Sequence, residues 1–453
     1  MSGGRQSGEH RKRAAGIARR AARVFPVILL RTGLLRLGAA LLVAAAVLLF
    51  ATTAMGQTVP PVNFNNVPGI PLGFTPGLVA IGDVTGHGNG ITDVVMIGTP
   101  SGGGITVLPG NGDGTFGTPI TSATTTQVTG ASGIALADLN GDGAIDVVVL
   151  TPQGGLPPSV TIFLNNPASK GSFSAGTSYQ IFSLYGGLAG PVYLADINGD
   201  GHPDIVLPNV GGTSFVVLLN NGDGTFTASN AQVIQIGGEL VALAVGNFTG
   251  GTMPDVAVAN YNRIVTVWKN TTAARSTTVS FAAQTPAALP AGTDGFYSIA
   301  AADFSGNGFT DIAAAVSADN AVYVLDGAGN GTLTYNSAQT VANVPMAYGA
   351  QSLTGDFNGD GKPDLALRSG NDGFLVLLNA GGKLQMNLNS SFVVGYGFVY
   401  STSGFAAGAL NGNGLTDILG ATNNSLSVFF ATGNSLTPFG GTLSYPDSAK
   451  ASA

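Results

Sequence analysis

The chain has 453 residues, of which 69 are Gly and only 9% are charged, yet its mean hydropathy is positive at +0.32. That combination excludes a charge-rich disordered chain and suits short strands joined by tight turns. The absence of Cys excludes disulfides, thiolate metal sites, Cys nucleophiles and a lipidated N-terminal Cys.

Charge is divided sharply. Residues 1–56 hold nine of the 17 Lys and Arg and one acid, Glu9, whereas the remainder has eight basic and 23 acidic residues, a net charge of −15. A body of that sign repels nucleic acid, which is excluded as a partner. Of its 23 acids one is Glu239 and 22 are Asp, and fifteen of those Asp fall in seven short loops. A solvated surface would mix Glu with Asp and spread both; this distribution calls for a geometry that needs the short carboxylate.

In chain order, residues 1–56 form a basic leader followed by an apolar run, Leu37 to Ala51, and small residues up to Gly56. Basic region, apolar core and small-residue exit read as an export signal cleaved after Gly56. The second reading is an uncleaved membrane anchor, although the run is shorter than the roughly 20 residues of a span. An extension back to Val24 would contain Arg31 and Arg36. Both readings place the acidic body outside the cytoplasm, as a secreted, periplasmic or cell-surface domain, with the membrane involved only through the anchor. Residues 57–77 are Pro-rich and extended; the stretch near Val62–Phe64 is expected to pair with the last repeat and close a ring. Residues 78–446 carry seven repeats, and 447–453 read as a disordered tail.

The repeats are marked by a nine-residue loop, Asp138-Leu-Asn-Gly-Asp-Gly-Ala-Ile-Asp146, that recurs at Asp196–Asp204 and Asp356–Asp364. Weaker copies run from Asp303 to Asp311, Ala409 to Asp417 and Asn247 to Asp255, and a seventh, Asp83 to Asp93, is stretched by two residues. The last Asp of each loop falls at 93, 146, 204, 255, 311, 364 and 417, a mean period of 54. Each unit reads as a short apolar strand, the loop, a second strand, an alternating third strand, a Gly turn of the type Asn221-Gly-Asp-Gly-Thr-Phe226, and a polar fourth strand. Four strands in each of seven units predict an all-β, seven-bladed β-propeller of antiparallel blades, because one small sheet cannot bury both faces and radial packing buries them against neighbours.

The loops place short oxygen-bearing side chains at alternating positions 1, 3, 5 and 9, with a backbone carbonyl available at position 7. In the first complete loop these are Asp138, Asn140, Asp142 and Asp146, with the carbonyl of Ala144. In the second they are Asp196, Asn198, Asp200 and Asp204, with that of His202; in the third, Asp356, Asn358, Asp360 and Asp364, with that of Lys362. Such an all-oxygen set in a flexible, Gly-turned loop favours Ca²⁺ over Mg²⁺. A weaker fourth set is Asp303, Ser305, Asn307 and Asp311 with the carbonyl of Phe309, so three or four Ca²⁺ sites are expected. The loops at 247–255 and 409–417 have lost ligands and read as turns; the stretched loop at 83–93 is left open.

These Asp-x-Asn-Gly-Asp-Gly-x-x-Asp loops on a 54-residue unit, with a trailing Gly-x-Phe turn, resemble the FG-GAP/VCBS repeats of integrin α-subunit propellers and of many bacterial secreted proteins. The resemblance covers about residues 63–446 and implies a seven-bladed propeller with Ca²⁺ in the loops of one face and a role in adhesion or ligand binding.

As to function class, the body has two His, His87 and His202, and one Glu, a poor supply for a hydrolase. No catalytic residue is assigned. A lectin needs repeated stacking aromatics. Trp268 lies on a third strand, where core packing is expected; Tyr185, Tyr193, Tyr297, Tyr348 and Tyr396 precede first strands, where blade packing is favoured over a ligand face. The leading expectation is a non-catalytic, Ca²⁺-stabilised binding or adhesion module for an extracellular protein or glycan, with a lectin-like propeller as the alternative and a secreted hydrolase behind it.

Overall fold

Short runs of β-branched residues separated by Gly turns fold into seven antiparallel sheets, one per repeat. The computed structural model describes residues 64–431 apart from 73, 75, 89, 99–103, 123–127, 129, 154–155, 182–189, 293–297, 345, 347–350, 370–372, 394–403 and 422–424. The chain divides into two compact units, Met1–Thr58 and Val59–Ala453. The first lies outside the described residues, as do the expected signal or anchor and the tail.

Blade 2 shows the plan. Gly133–Ala137, Asp146–Gln153, Leu156–Phe163 and Thr177–Gln180 pair in sequence order, each antiparallel to the next. The innermost strands adjoin in cyclic order: Val79–Gly82, Gly133–Ala137, Tyr193–Ala195, Leu240–Gly246, Ser298–Ala302, Ser352–Gly355, Phe405–Gly408 and back to Val79–Gly82. The result is an all-β, seven-bladed propeller. Its only described helical elements are the single 3-10 turns Ala228–Asn230 and Ser337–Gln339.

The seventh blade is assembled from both ends of the ring. Phe405–Gly408, Asp417–Ala421 and Ser425–Ala431 supply three strands, and Phe64–Pro71 supplies the fourth. The register pairs Phe64 with Ala431 and Pro71 with Ser425.

The longest apolar runs occupy the middle of each blade rather than its innermost strand. Asp204–Pro208, Ser214–Leu218 and Gly373–Asn379 are buried along their whole length, whereas Gly133–Ala137 and Ser352–Gly355 are mostly half-buried. Middle strands are covered on both faces by adjacent blades, while innermost strands turn toward the axis. The buried side chains accordingly form seven clusters, each spanning two neighbouring blades.

Candidate functional site

The repeated loop joins the first two strands of every blade, and its second residue is always a buried apolar side chain: Val84, Leu139, Ile197, Phe248, Phe304, Phe357 and Leu410. Each belongs to the cluster between its own blade and the next. Burying a side chain of this size contributes about 1.5–3 kcal/mol, so the loop is pinned into the inter-blade core before any polar group is considered.

The ninth residue closes the loop from the other side. In blade 2, Asp146 Oδ2 accepts the N–H of Leu139 at 2.9 Å and Oδ1 accepts the N–H of Asn165, just beyond the third strand, at 2.8 Å. The same double acceptor recurs at Asp204 with Ile197 and Asn220, Asp255 with Phe248 and Asn270, Asp364 with Phe357 and Asn379, and Asp417 with Leu410 and Ala431. Asp93 and Asp311 take Thr85 and Ser305 in place of position 2. All seven are at most 1% exposed. This clamp accounts for the retention of Asp at position 9 in loops that have lost the other carboxylates.

Burial of these carboxyls raises their pKa, against the opposing effect of the two N–H donors. Asp204 and Asp364 are pushed up to about 7, and Asp146 to about 6; the carboxylates at positions 1 and 5 of the same loops add to the rise. Asp417, whose loop has no such neighbours, reaches about 6 through burial. Asp311 is also raised by burial.

A second device was not anticipated from the sequence. The residue that bonds to the clamp is Asn in four blades, and its side-chain amide crosses to the preceding blade. Asn165 Nδ2 reaches Val84 O at 2.7 Å, Asn220 reaches Leu139 O, Asn270 reaches Ile197 O and Asn379 reaches Phe304 O, each at 2.8 Å. The signal was present as an Asn closing each of these third strands: Phe163-Leu-Asn165, Leu218-Leu-Asn220, Trp268-Lys-Asn270 and Leu377-Leu-Asn379.

Within the three complete loops, the main chain wraps the first carboxylate. Asp138 accepts the N–H groups of Gly141, Asp142 and Gly143 at 2.8–3.2 Å, and Asp356 does the same with Gly359, Asp360 and Gly361. Asp196 accepts those of Asp200 and Gly201. The side chains at positions 3 and 5 converge: Asn140 Nδ2 lies 3.0 Å from Asp142 Oδ2, and Asn198 Nδ2 lies 2.9 Å from Asp200 Oδ2. In the third loop Asn358 Nδ2 is buried without a partner, and Asp360 Oδ2 instead takes the Lys362 ammonium at 3.3 Å. The side chains at positions 1, 3, 5 and 9 carry oxygens of the kind that hard cations take, with the Asn amides turned so that Nδ2 faces position 5 in the first two loops.

The loop at 303–311 differs at position 5. Asn307 Oδ1 accepts the Phe309 N–H and Nδ2 donates to Gly327 O at 3.0 Å, so both ends of the amide are committed. Asn413 makes the equivalent bond to Ala431 O. In both blades the third-strand Asn is absent, and the loop amide ties the strand end instead. Position 5 of the 303 loop thus brings a neutral amide, tied to the strand end, where the complete loops bring a carboxylate.

The stretched loop at 83–93 brings together a group the others lack. Among the described residues, Asp83, His87 and Asp93 form the one set of three His, Cys, Asp or Glu side chains whose ligand atoms all lie within 4.8 Å of one another. The Asp trios of the complete loops do not close to that spacing. The two inserted residues leave His87 without a register in the repeat. The backbone absorbs them by offering the N–H groups of His87 and Gly88 to Asp83, both at 2.8 Å.

Among the described residues, hairpins of the following blade pack beside these loops, as Gly171 does at Thr85 and Gly224 at Asn140. A Cβ on Gly382, whose φ is +81°, would stand 2.5 Å from Ser305 O, so that approach requires Gly. The hairpins at 111–116 and 221–226 are ordinary turns: Asp113 and Asp223 cap Thr115 and Thr225, whose hydroxyl bonds hold both carboxyls below the usual range. Trp268 stacks edge-on against Phe215 between blades 3 and 4, and the Tyr193 hydroxyl bonds to Leu243 O of the next blade. Tyr185, Tyr297, Tyr348 and Tyr396 lie outside the described residues.

Fold and loops together define a β-propeller in which each blade's first turn is an acidic loop. The FG-GAP-like repeat family matches at residues 87–149, 138–207 and 304–367. With the seven-bladed ring, these three repeats fit an FG-GAP repeat propeller. No curated protein matches it. Among solved structures, it is similar to an Agrocybe aegerita lectin described as specifically recognising non-reducing terminal N-acetylglucosamine, at 22% identity and a TM-score of 0.49 over 78% of this chain and 86% of that one. It is also similar to BBS1N, solved in complex with ARL6DN, at 11% identity and a TM-score of 0.48 over 82% of this chain and 97% of that one.

Proposed function

We propose that the chain is an exported, non-catalytic β-propeller, held rigid by Ca²⁺, that serves as a binding or adhesion module for an extracellular protein or glycan. What supports the calcium reading is the repeated placing of Asp and Asn at positions 1, 3, 5 and 9 of the loops at 138, 196 and 356, with the main chain wrapped around the first carboxylate of each. Asp138, Asn140, Asp142 and Asp146 would hold one ion with the carbonyl of Ala144. The corresponding sets are Asp196, Asn198, Asp200 and Asp204 with the carbonyl of His202, and Asp356, Asn358, Asp360 and Asp364 with that of Lys362. Bound there, Ca²⁺ supplies charge neutralisation for clustered carboxylates. The residues do the rest: the main-chain N–H groups orient Asp138 and its counterparts, and the clamps tie each loop to the third strand. Because Asn307 brings no charge to position 5 of the 303 loop and its amide is tied to Gly327 O, the proposal is three sites rather than four. Export is supported by the basic leader and apolar run, and the lack of catalysis by the two His and one Glu of the body.

Ions that bind only the folded state stabilise it by mass action. Calorimetric Ca²⁺ titration of the protein should give three sites, and EDTA should lower the melting temperature. Asp142→Ala, Asp200→Ala and Asp360→Ala combined should reproduce most of that drop. A melting temperature indifferent to EDTA in low-calcium buffer would refute the calcium reading. A glycan array then tests the lectin-like alternative, which Ca²⁺-dependent hits would promote and silence would demote.

A further inference from the structure

The blade 1 loop departs from its six counterparts in chemistry as well as length. His87 sits with Nδ1 at 3.5 Å from Asp93 Oδ1 and 2.6 Å from Thr85 Oγ1. Thr85 Oγ1 also lies 2.9 Å from Asp93 Oδ2. The hydroxyl has one proton; when it donates to Asp93, His87 Nδ1 carries the proton of the other bond. Asp83 faces the same point, its oxygens held by the N–H groups of His87 and Gly88. One imidazole nitrogen and two carboxylates thus converge, with Thr85 between them. The His87 side chain is 37% exposed while Asp93 is fully buried, so the group is anchored at its base and open at its mouth.

We propose that this loop binds a first-row transition dication of the Zn²⁺ type through Asp83, His87 and Asp93. Mixed imidazole and carboxylate ligands suit such ions, whereas Ca²⁺ takes oxygen alone. Bonds of about 2.0–2.1 Å keep ligand atoms within roughly 4 Å of each other, so a spread of up to 4.8 Å needs only a small closure. The ion takes the place of the Nδ1 proton, and the imidazole changes to its Nε2–H tautomer. Lys170, whose ammonium donates to Gly143 O at 3.1 Å, lies over Gly86 and covers one flank. The site does not depend on the calcium reading, since it uses none of those ligands.

The test uses the untagged full chain in excess Ca²⁺, titrated with Zn²⁺ by calorimetry and with Co²⁺ by ligand-field absorption. The expected result is one equivalent of Zn²⁺ and a Co²⁺ spectrum showing a nitrogen ligand, both lost in His87→Ala and weakened in Asp83→Asn. Both should persist in His202→Ala and in the variant combining Asp142→Ala, Asp200→Ala and Asp360→Ala. The melting temperature of His87→Ala in EDTA should match that of the unaltered protein, which separates loss of the ion from loss of the fold. Equal Zn²⁺ binding by His87→Ala, or displacement of Zn²⁺ by excess Ca²⁺, overturns the proposal.

Discussion

Asn165 and Asp146 are joined at 2.8 Å, the N–H of the first to the carboxylate of the second, while the Asn165 side chain holds Val84 O of the preceding blade at 2.7 Å. One residue therefore couples a blade's own loop to its neighbour's. Because Val84 is itself a buried pin between blades 1 and 2, polar and apolar contacts meet at the same point.

The clamp should be separable from any metal. Asp417 has no carboxylate partner in its loop, yet it accepts Leu410 and Ala431 N–H groups from a fully buried position. Asp417→Ala leaves both donors unsatisfied and should cost about 2–4 kcal/mol in urea unfolding. The loss should be the same with Ca²⁺ or EDTA; an effect confined to Ca²⁺ would show that the carboxylate acts as a ligand.

The inter-blade amide is open to a similar test. Asn220→Ala removes the bonds to Leu139 O and Pro203 O but keeps the main-chain N–H on Asp204. A destabilisation of about 1–2 kcal/mol is expected, with faster amide exchange in both the 138–146 and 196–204 loops. Exchange changes limited to blade 3 would argue against coupling across the interface.

Acidity should stabilise the metal-free protein. Burial raises Asp204 and Asp364 to about 7 and Asp146 and Asp417 to about 6, above the roughly 3.9 of an unfolded chain. The folded state then binds protons more tightly, so stability is fully present below the unfolded value and is lost as pH rises through 6 to 7. Melting in EDTA should be higher at about pH 5.5 than at about pH 8, from the same linkage. Ca²⁺ competes with the proton and should flatten the slope; a melting temperature that climbs with pH in EDTA would contradict the assignment.

The composite blade gives a fourth test. Deleting residues 58–70 strips the edge of Ser425–Ala431, which pairs with Phe64–Pro71. A lower melting temperature and concentration-dependent association are expected, because an unpaired apolar edge invites pairing with another chain. A synthetic peptide spanning 63–72 should reverse both; unchanged melting would show that the strand contributes nothing to closure.

The repeat period made the seven blades legible, since a terminal Asp every 54 residues or so marks the same turn each time. Other features were hidden for physical reasons. A ligand Asp and a clamp Asp have the same side chain, so position 9 disclosed its second role only when Leu139 and Asn165 were seen on either side of Asp146. The third-strand Asn carries no local signal of its role, because the partner of its amide lies in another blade. Asn307, standing where the complete loops have Asp, has a structural role that spacing does not reveal: its amide makes the bond that Gly327 cannot make from a side chain. The burial of all-apolar middle strands was foreseeable, but their place between, rather than along, the axis follows from packing around a ring.

The pairing of Phe64 with Ala431 also sets a timetable. The strand that completes blade 7 leaves the ribosome before any blade exists, and its partner emerges last of the described strands. Six sheets can assemble from neighbouring segments, but the seventh must wait for Ser425–Ala431. Closure of so long a loop is entropically costly and slow compared with local hairpin formation. A chain that stops anywhere between Phe64 and Ser425 therefore leaves the Phe64–Pro71 strand without its partner, so the ring cannot close on itself.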